Sequence, residues 1–272
     1  MSFAQNSPPP LTFAEADKSP LSIRAKALVF IDPLSRQLRE HAEALAPGVQ
    51  PLLIRGETGT GKELLARHIH RLSERGGLFV SLSCAAISPQ WGEAELFGHT
   101  PGTQRGAVSS RAGWFGSANG GTLYLDEIAD LTPALQVKLL AALETREVYR
   151  VGAAQAIPVD VRLMAASSID LSRAVAAGTF NERLYTYLGD GQLRFPALRE
   201  RVGDILPLAE YFLGSHAQRL GMAIPVISLE AQRLLETHNW PGNSRELENV
   251  IHFALLLAGN AEIGPAHLEL PG

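Results

Sequence analysis

Cysteine is almost absent. Cys84 is the single one in 272 residues, so no internal disulfide can form, and it reads as a small buried side chain in a reducing compartment. Long apolar runs are missing too: nowhere do about eighteen apolar residues follow one another, as a membrane-spanning helix requires. The proline-rich start from Met1 to Pro10 has neither the basic nor the apolar region of a signal peptide, so a cytoplasmic protein without a membrane partner is expected. There is no excess of positive charge. With 24 Lys and Arg against 28 Asp and Glu, the net charge of −4 supplies no basic field for DNA, and any DNA contact has to come from a domain or partner outside this chain. Internal repeats, heptads and zinc-ligand spacings are also lacking. What remains is a 46% hydrophobic chain with a mean hydropathy near zero, long enough for a large core and one or two domains.

Its organising stretch is Leu52-Leu53-Ile54-Arg55-Gly56-Glu57-Thr58-Gly59-Thr60-Gly61-Lys62-Glu63. Gly56, Gly61 and Lys62 match the GxxxxGK pattern, in which residues without side chains let backbone N–H groups close around phosphate oxygens. A helix N-terminus adds positive potential, and the lysine neutralises the terminal phosphates. A glycine-rich surface turn would lack the flanks found here: apolar Pro51 to Ile54 before the loop, and Leu65, Ile69 and Leu72 at helical spacing after it.

Residues 1–20, rich in proline and without apolar period, read as a flexible leader. Ile23, Ala27, Leu38, Ala42 and Leu45 predict one helix over 22–46, and Leu78 to Leu82 a short strand. Ser88-Pro89 has the composition of a helix start. Gly98 to Gly121, dense in Gly, Ser, Thr and Arg, is too long for a plain turn and reads as a functional loop. Thr122-Leu123-Tyr124-Leu125-Asp126-Glu127 predicts a fully buried strand delivering two carboxylates at its end, followed by a helix from Thr132-Pro133 through Leu143. Val159 to Ala166 predicts another strand, ending at Ser167-Ser168. Strands alternating with helices imply an α/β fold with a parallel sheet, whose ligands sit at the C-terminal strand ends. From Gly203 the pattern is helical only, over 205–220, 228–238 and 244–257. Asn243 and Glu246 have capping-box spacing at the start of the last helix. The expected domains are therefore 21–202, nucleotide-binding, and 203–272, a small helical lid.

Asp126 and Glu127 fit beside Lys62, since hydrolysis of a nucleoside triphosphate needs a carboxylate in the magnesium shell, suited to Asp126, and a base orienting water, suited to Glu127. Glu63 stands where the general pattern has a Ser or Thr for magnesium. That departure points to a narrower group. Gly56 to Glu63, Glu95-Leu96-Phe97-Gly98-His99, Gly120 to Ile128, Val159 to Leu163, Leu198-Arg199-Glu200-Arg201 and Trp240 to Val250 together resemble, over roughly residues 20–270, the central AAA+ domain of bacterial enhancer-binding proteins, which activate sigma-54 RNA polymerase. The resemblance implies a P-loop AAA+ domain with a helical lid that binds ATP and Mg2+ through Gly56, Glu57, Thr58, Gly59, Thr60, Gly61, Lys62 and Glu63. It implies a homo-oligomeric ring, hexameric or heptameric, that uses hydrolysis to remodel the closed complex of the sigma-54 RNA polymerase holoenzyme. It makes Arg245 the lid's sensor arginine at the phosphates.

The chain departs from that pattern at informative places. The sigma-contacting loop, usually Gly-Ala-Phe-Thr-Gly-Ala, is Gly102-Thr103-Gln104-Arg105-Gly106-Ala107, without the Phe-Thr pair. The switch asparagine that holds the catalytic glutamate falls on Ser83, and sensor one, usually Thr-Asn, on Ser167-Ser168. The two arginines that reach a neighbouring subunit's site fall on Asn181 and Tyr187, with Arg183 nearby but out of register. An arginine finger contributes about a thousandfold to turnover. Two readings stay open: an active ring ATPase with Arg183 as a substitute finger, or a nucleotide-binding regulatory or scaffold module that has lost productive sigma-54 contact and efficient hydrolysis. Helix-turn-helix and sensory domains, usual in such regulators, are not legible in this stretch, so the expectation is either a module of a longer protein or an activity that works without its own DNA contact.

Overall fold

The computed structural model describes residues 28–101, 112–189 and 191–270. The first helix, α1 (Pro33–Leu45), is shorter than the 22–46 expected from the apolar spacing. Asp32 stops it at its N-terminus: its Oδ1 accepts the Leu34 amide at 2.9 Å, and Pro33 fits the first helical position because it needs no amide partner. Residues 28–32 are not helical, and residues 1–27 lie outside the described part.

The chain continues through β1 (Leu52–Arg55), α2 (Lys62–Leu72), β2 (Phe79–Ser83), α3 (Gly92–Phe97), α4 (Gly113–Ser117), β3 (Thr122–Asp126) and α5 (Pro133–Thr145). Then come a two-stranded antiparallel ribbon of β4 (Glu147–Val148) and β5 (Ile157–Pro158), β6 (Arg162–Ser167), α6 (Leu171–Ala176), α7 (Glu182–Tyr187) and β7 (Gln192–Arg194). Helix α3 begins three residues beyond Pro89, after a turn in which Ser88 Oγ accepts the Trp91 amide. Helix α5 starts as expected, with Thr132 Oγ1 capping the Leu135 amide. Within the predicted Gly98 to Gly121 loop, α4 stacks Phe115 on Phe97 with centroids 5.4 Å apart. The Gly102 to Ala107 stretch lies outside the described residues.

Five strands pair in the order β2-β3-β6-β1-β7, all parallel. Sheets of this kind are covered on both faces, which is why Leu52, Leu53 and Ile54 of β1 and every residue of β6 are buried. β6 even buries an arginine. Arg162 donates to the carbonyls of Leu45, Ala46 and Gln50, so its guanidinium neutralises the carbonyl end of α1, and burial pulls its pKa down to about 10.

The described chain forms two compact units, one within Gln37–Ala197 and the other combining residues 28–36 with those from Leu198 onward. The second holds α8 (Ile205–Leu220), α9 (Leu229–Thr237) and α10 (Asn243–Ala258), packed around the fully buried Trp240, whose indole N–H donates to the Leu235 carbonyl. The 202/203 division expected from sequence falls within a short 3-10 turn, Val202–Asp204. There Asp204 Oδ1 accepts the amides of Ile31 and Asp32. The start of α10 differs from a capping box. Glu246 accepts the Gly242 amide at 2.7 Å, whereas Asn243, with φ of 54°, turns its side-chain oxygen to the Leu198 amide. No helix among the described residues is long and apolar enough to cross a membrane.

Candidate functional site

Three adjacent strands, β3, β6 and β1, end on the same side of the sheet because all are parallel. Each end carries residues singled out in the sequence: Asp126 ending β3 with Glu127 after it, Ser167 ending β6 with Ser168 after it, and Gly56 to Glu63 running from β1 into α2. The order of the strands, not closeness in sequence, brings them together.

The loop after β1 is shaped by backbone demands. Gly61 has φ of 105° immediately before α2, a conformation that side chains rarely adopt. A Cβ on Gly56 would stand 2.7 Å from the Phe195 carbonyl oxygen. The Glu57 carbonyl accepts the Thr60 hydroxyl at 2.8 Å and its amide at 3.4 Å, folding the loop on itself. Lys62 is buried, and its Nζ donates to the Gly56 carbonyl at 2.8 Å, the Glu57 carbonyl at 3.3 Å and Glu127 Oε1 at 3.2 Å. Glu63 pairs with Arg67, one turn along α2.

Glu127 has φ of 51°, a left-handed conformation that costs a non-glycine residue about 1 kcal/mol or more. Its carboxylate is divided between two partners: Oε1 takes Lys62, and Oε2 takes both the amide of Ser168 at 2.8 Å and its hydroxyl at 2.9 Å. Ser83 is the register partner of Asp126 and is exposed. Among the described residues Ser168, and not Ser83, holds Glu127. Ser167 is buried with its hydroxyl on the Ile169 carbonyl, and its own carbonyl accepts the Gly56 amide at 3.2 Å, tying β6 to the loop.

Asp126 is half-buried. Burial raises its pKa, opposed by the Tyr124 hydroxyl, which donates to Oδ1 at 2.9 Å, and by the charge of Lys62. No hydrogen bond from a described residue reaches Oδ2, so the carboxylate keeps one hard oxygen donor that suits a magnesium-like cation. Burial pushes the Cys84 thiol up, reinforced by Asp130, Asp126 and Glu127, which makes it an inert packing residue.

The remaining predicted residues are carried by other elements. Arg183, on α7, is largely exposed and donates to Glu144 at 2.9 Å. At the positions where arginines were expected, Asn181 caps α7 through the Leu184 amide and Tyr187 donates to the Leu143 carbonyl. Arg245 is exposed in the first turn of α10, in the helical unit.

Tyr124 was missed as a site residue because its strand reads as uniformly apolar. The signal was present in the alternation of Thr122, Tyr124 and Asp126, which places three polar side chains on one face of β3.

Comparison with known proteins agrees with this geometry. The sigma-54 interaction domain matches residues 28–194 and the AAA+ ATPase lid domain residues 199–270. The sigma54-dependent transcriptional activator SfnR of Pseudomonas putida is 50% identical over 261 residues, covering 96% of this chain and 71% of that protein. The transcriptional regulatory protein FlbD of Caulobacter vibrioides is 44% identical over 247 residues, 90% of this chain and 54% of that one. Among solved structures, NtrX from Brucella abortus in complex with ATP superposes with a TM-score of 0.82 at 35% identity, over 89% of this chain and 54% of that one. The chain thus spans about half the length of FlbD and NtrX. With its five-stranded parallel sheet, phosphate-binding loop and helical lid, it belongs to the sigma-54-dependent transcriptional regulators, of which it is the AAA+ sigma-54 interaction domain.

Proposed function

We propose that this module binds and hydrolyses ATP with magnesium, assembles into a hexameric or heptameric ring, and spends hydrolysis on remodelling the sigma-54 RNA polymerase holoenzyme at a promoter. The observation that carries this is the divided carboxylate of Glu127, anchored by Ser168 through one oxygen and held by the lysine of the phosphate loop through the other. Phosphate oxygens compete with Gly56, Glu57 and Glu127 for the Lys62 ammonium. Once Lys62 turns to phosphate, Oε1 is free to accept a proton from water attacking the γ-phosphorus, while Ser168 keeps the carboxylate aimed. The bond to the β–γ bridging oxygen breaks, and ADP leaves with that oxygen. Asp126 would hold magnesium, which would supply positive charge at the phosphates.

The amides of Gly56 to Glu63 cradle the phosphates, Arg245 is the sensor arginine of the lid, Ser83 at the end of β2 and Ser167 at the end of β6 belong to the nucleotide site, and Gly102 to Ala107 contact sigma-54. Arg183 serves as the finger toward a neighbouring chain: it is the exposed arginine of α7, whereas Asn181 and Tyr187 are engaged within their own chain. DNA is contacted through a domain outside this stretch, and the protein works in the cytoplasm, as fits relatives that regulate transcription. A nucleotide-binding scaffold without sigma-54 contact is not favoured by membership of this family. Steady-state ATPase measured across protein concentration, with sedimentation in parallel, tests the proposal. Turnover per chain that rises with self-association supports it, and no turnover at any concentration overturns it.

A further inference from the structure

β3 presents Thr122, Tyr124 and Asp126 on one face, and α2 presents Glu63, Arg67 and His70 at one-turn spacing toward the same region. Thr122 Oγ1 meets His70 Nδ1 at 2.8 Å. The Tyr124 ring, fully buried, stacks on Phe79 with centroids 5.9 Å apart at 25°. Phe79 carries the Arg67 guanidinium 4.6 Å from its centroid, and Arg67 is fixed by Glu63, the residue after the phosphate-loop lysine. The phenol is therefore immobilised by packing before it makes its one hydrogen bond among the described residues, to Asp126 Oδ1.

We propose that Tyr124 is a positioning residue for Asp126: its hydroxyl occupies Oδ1, fixes the carboxylate rotamer and leaves Oδ2 as the oxygen available to a divalent cation. This rests on the assignment of Asp126 as the magnesium-holding carboxylate. Outer partners of carboxylate ligands typically change metal affinity by about tenfold or more when removed. A buried tyrosine serving packing alone would leave the metal requirement untouched.

The test is a magnesium titration of a fluorescent ATP analogue binding to the full 272-residue chain. Tyr124→Phe should bind nucleotide in EDTA within about twofold of the unmodified chain, yet need about tenfold more magnesium for its metal-dependent response. Phe79→Leu, which loosens the stack and keeps the hydroxyl, should shift the magnesium midpoint by much less than Tyr124→Phe does. Three results overturn the proposal: an unshifted midpoint in Tyr124→Phe, an equal shift in Phe79→Leu, or loss of metal-free binding in Tyr124→Phe. If the unmodified chain shows a magnesium response that Asp126→Asn abolishes and Tyr124→Phe reproduces, Tyr124 alone is at fault. If the unmodified chain shows none, the assignment of Asp126 falls with it.

Discussion

Ser168 grips Glu127 twice on one oxygen, the amide at 2.8 Å and the hydroxyl at 2.9 Å both reaching Oε2. The other oxygen is left to Lys62. An asparagine at this position would offer an amide donor; the serine compensates with its short hydroxyl and its own backbone, which lie on the same carboxylate oxygen.

Ser168→Ala keeps the amide bond and deletes the hydroxyl. Turnover should fall about three- to tenfold, the range for one hydrogen bond to a charged group partly backed up by another. Affinity for nucleotide, read by fluorescence titration, should change by less than about twofold. A fall in affinity matching the fall in turnover would mean that Ser168 shapes the phosphate loop instead of the glutamate.

Lys62→Ala should weaken ATP binding by about a hundredfold or more, since the loop loses its only buried ammonium among the described residues. It also strands Glu127 Oε1, so stability should not rise. Calorimetric titration checks the first point and thermal unfolding the second.

Arg162 is predicted to matter for stability alone. Arg162→Met leaves the Leu45, Ala46 and Gln50 carbonyls without their donor and should cost about 2–4 kcal/mol in denaturant unfolding, with ATP affinity retained in the folded fraction. Nucleotide affinity lost in step with the arginine would give it a role at the site.

Much of this was readable in advance, and the pattern of what was not is physical. The phosphate loop, the β3 carboxylates and the three lid helices are local signals: glycine spacing, a strand ending in acids, 3.6-residue periodicity. The grip of Ser168 on Glu127 spans 41 residues and depends on β3 lying beside β6, an order that periodicity does not encode. Tyr124 was hidden for another reason. A strand buried on both faces looks continuous in hydrophobicity, so the phenol counted as one more apolar side chain. Helix α1 was overextended because apolar spacing in 22–46 outweighed Asp32-Pro33, a cap and first-turn pair within that span. At α10, Asn243 and Glu246 had the right spacing, but the Leu198 amide competes successfully for the Asn243 side chain.

The helical unit should be acid-sensitive. His216 is buried between α8 and α10, its ring 4.5 Å from His252, with Arg219 on its own helix and Glu248 Oε1 3.8 Å away. Burial, then the neighbouring His252 and Arg219, pull its pKa down to about 4. The folded state therefore prefers neutral His216 while the unfolded chain takes up the proton near its ordinary value of about 6.5. Stability from this group is complete above that value and declines as pH falls toward about 4. Urea unfolding between these limits should show a shallower pH slope in His216→Gln than in the unmodified chain, and equal slopes would refute the assignment.

The most direct measurement is ATP turnover and ATP binding in Glu127→Gln, made side by side on the self-associated protein. The substitution keeps the size and a hydrogen-bond acceptor for Ser168 but removes the base. Turnover should drop by about two orders of magnitude or more with binding retained, as expected for a group that acts on the proton of water. Turnover persisting near the unmodified rate would contradict the assignment of Glu127 as the catalytic carboxylate, and with it the division of labour between Lys62 and Ser168.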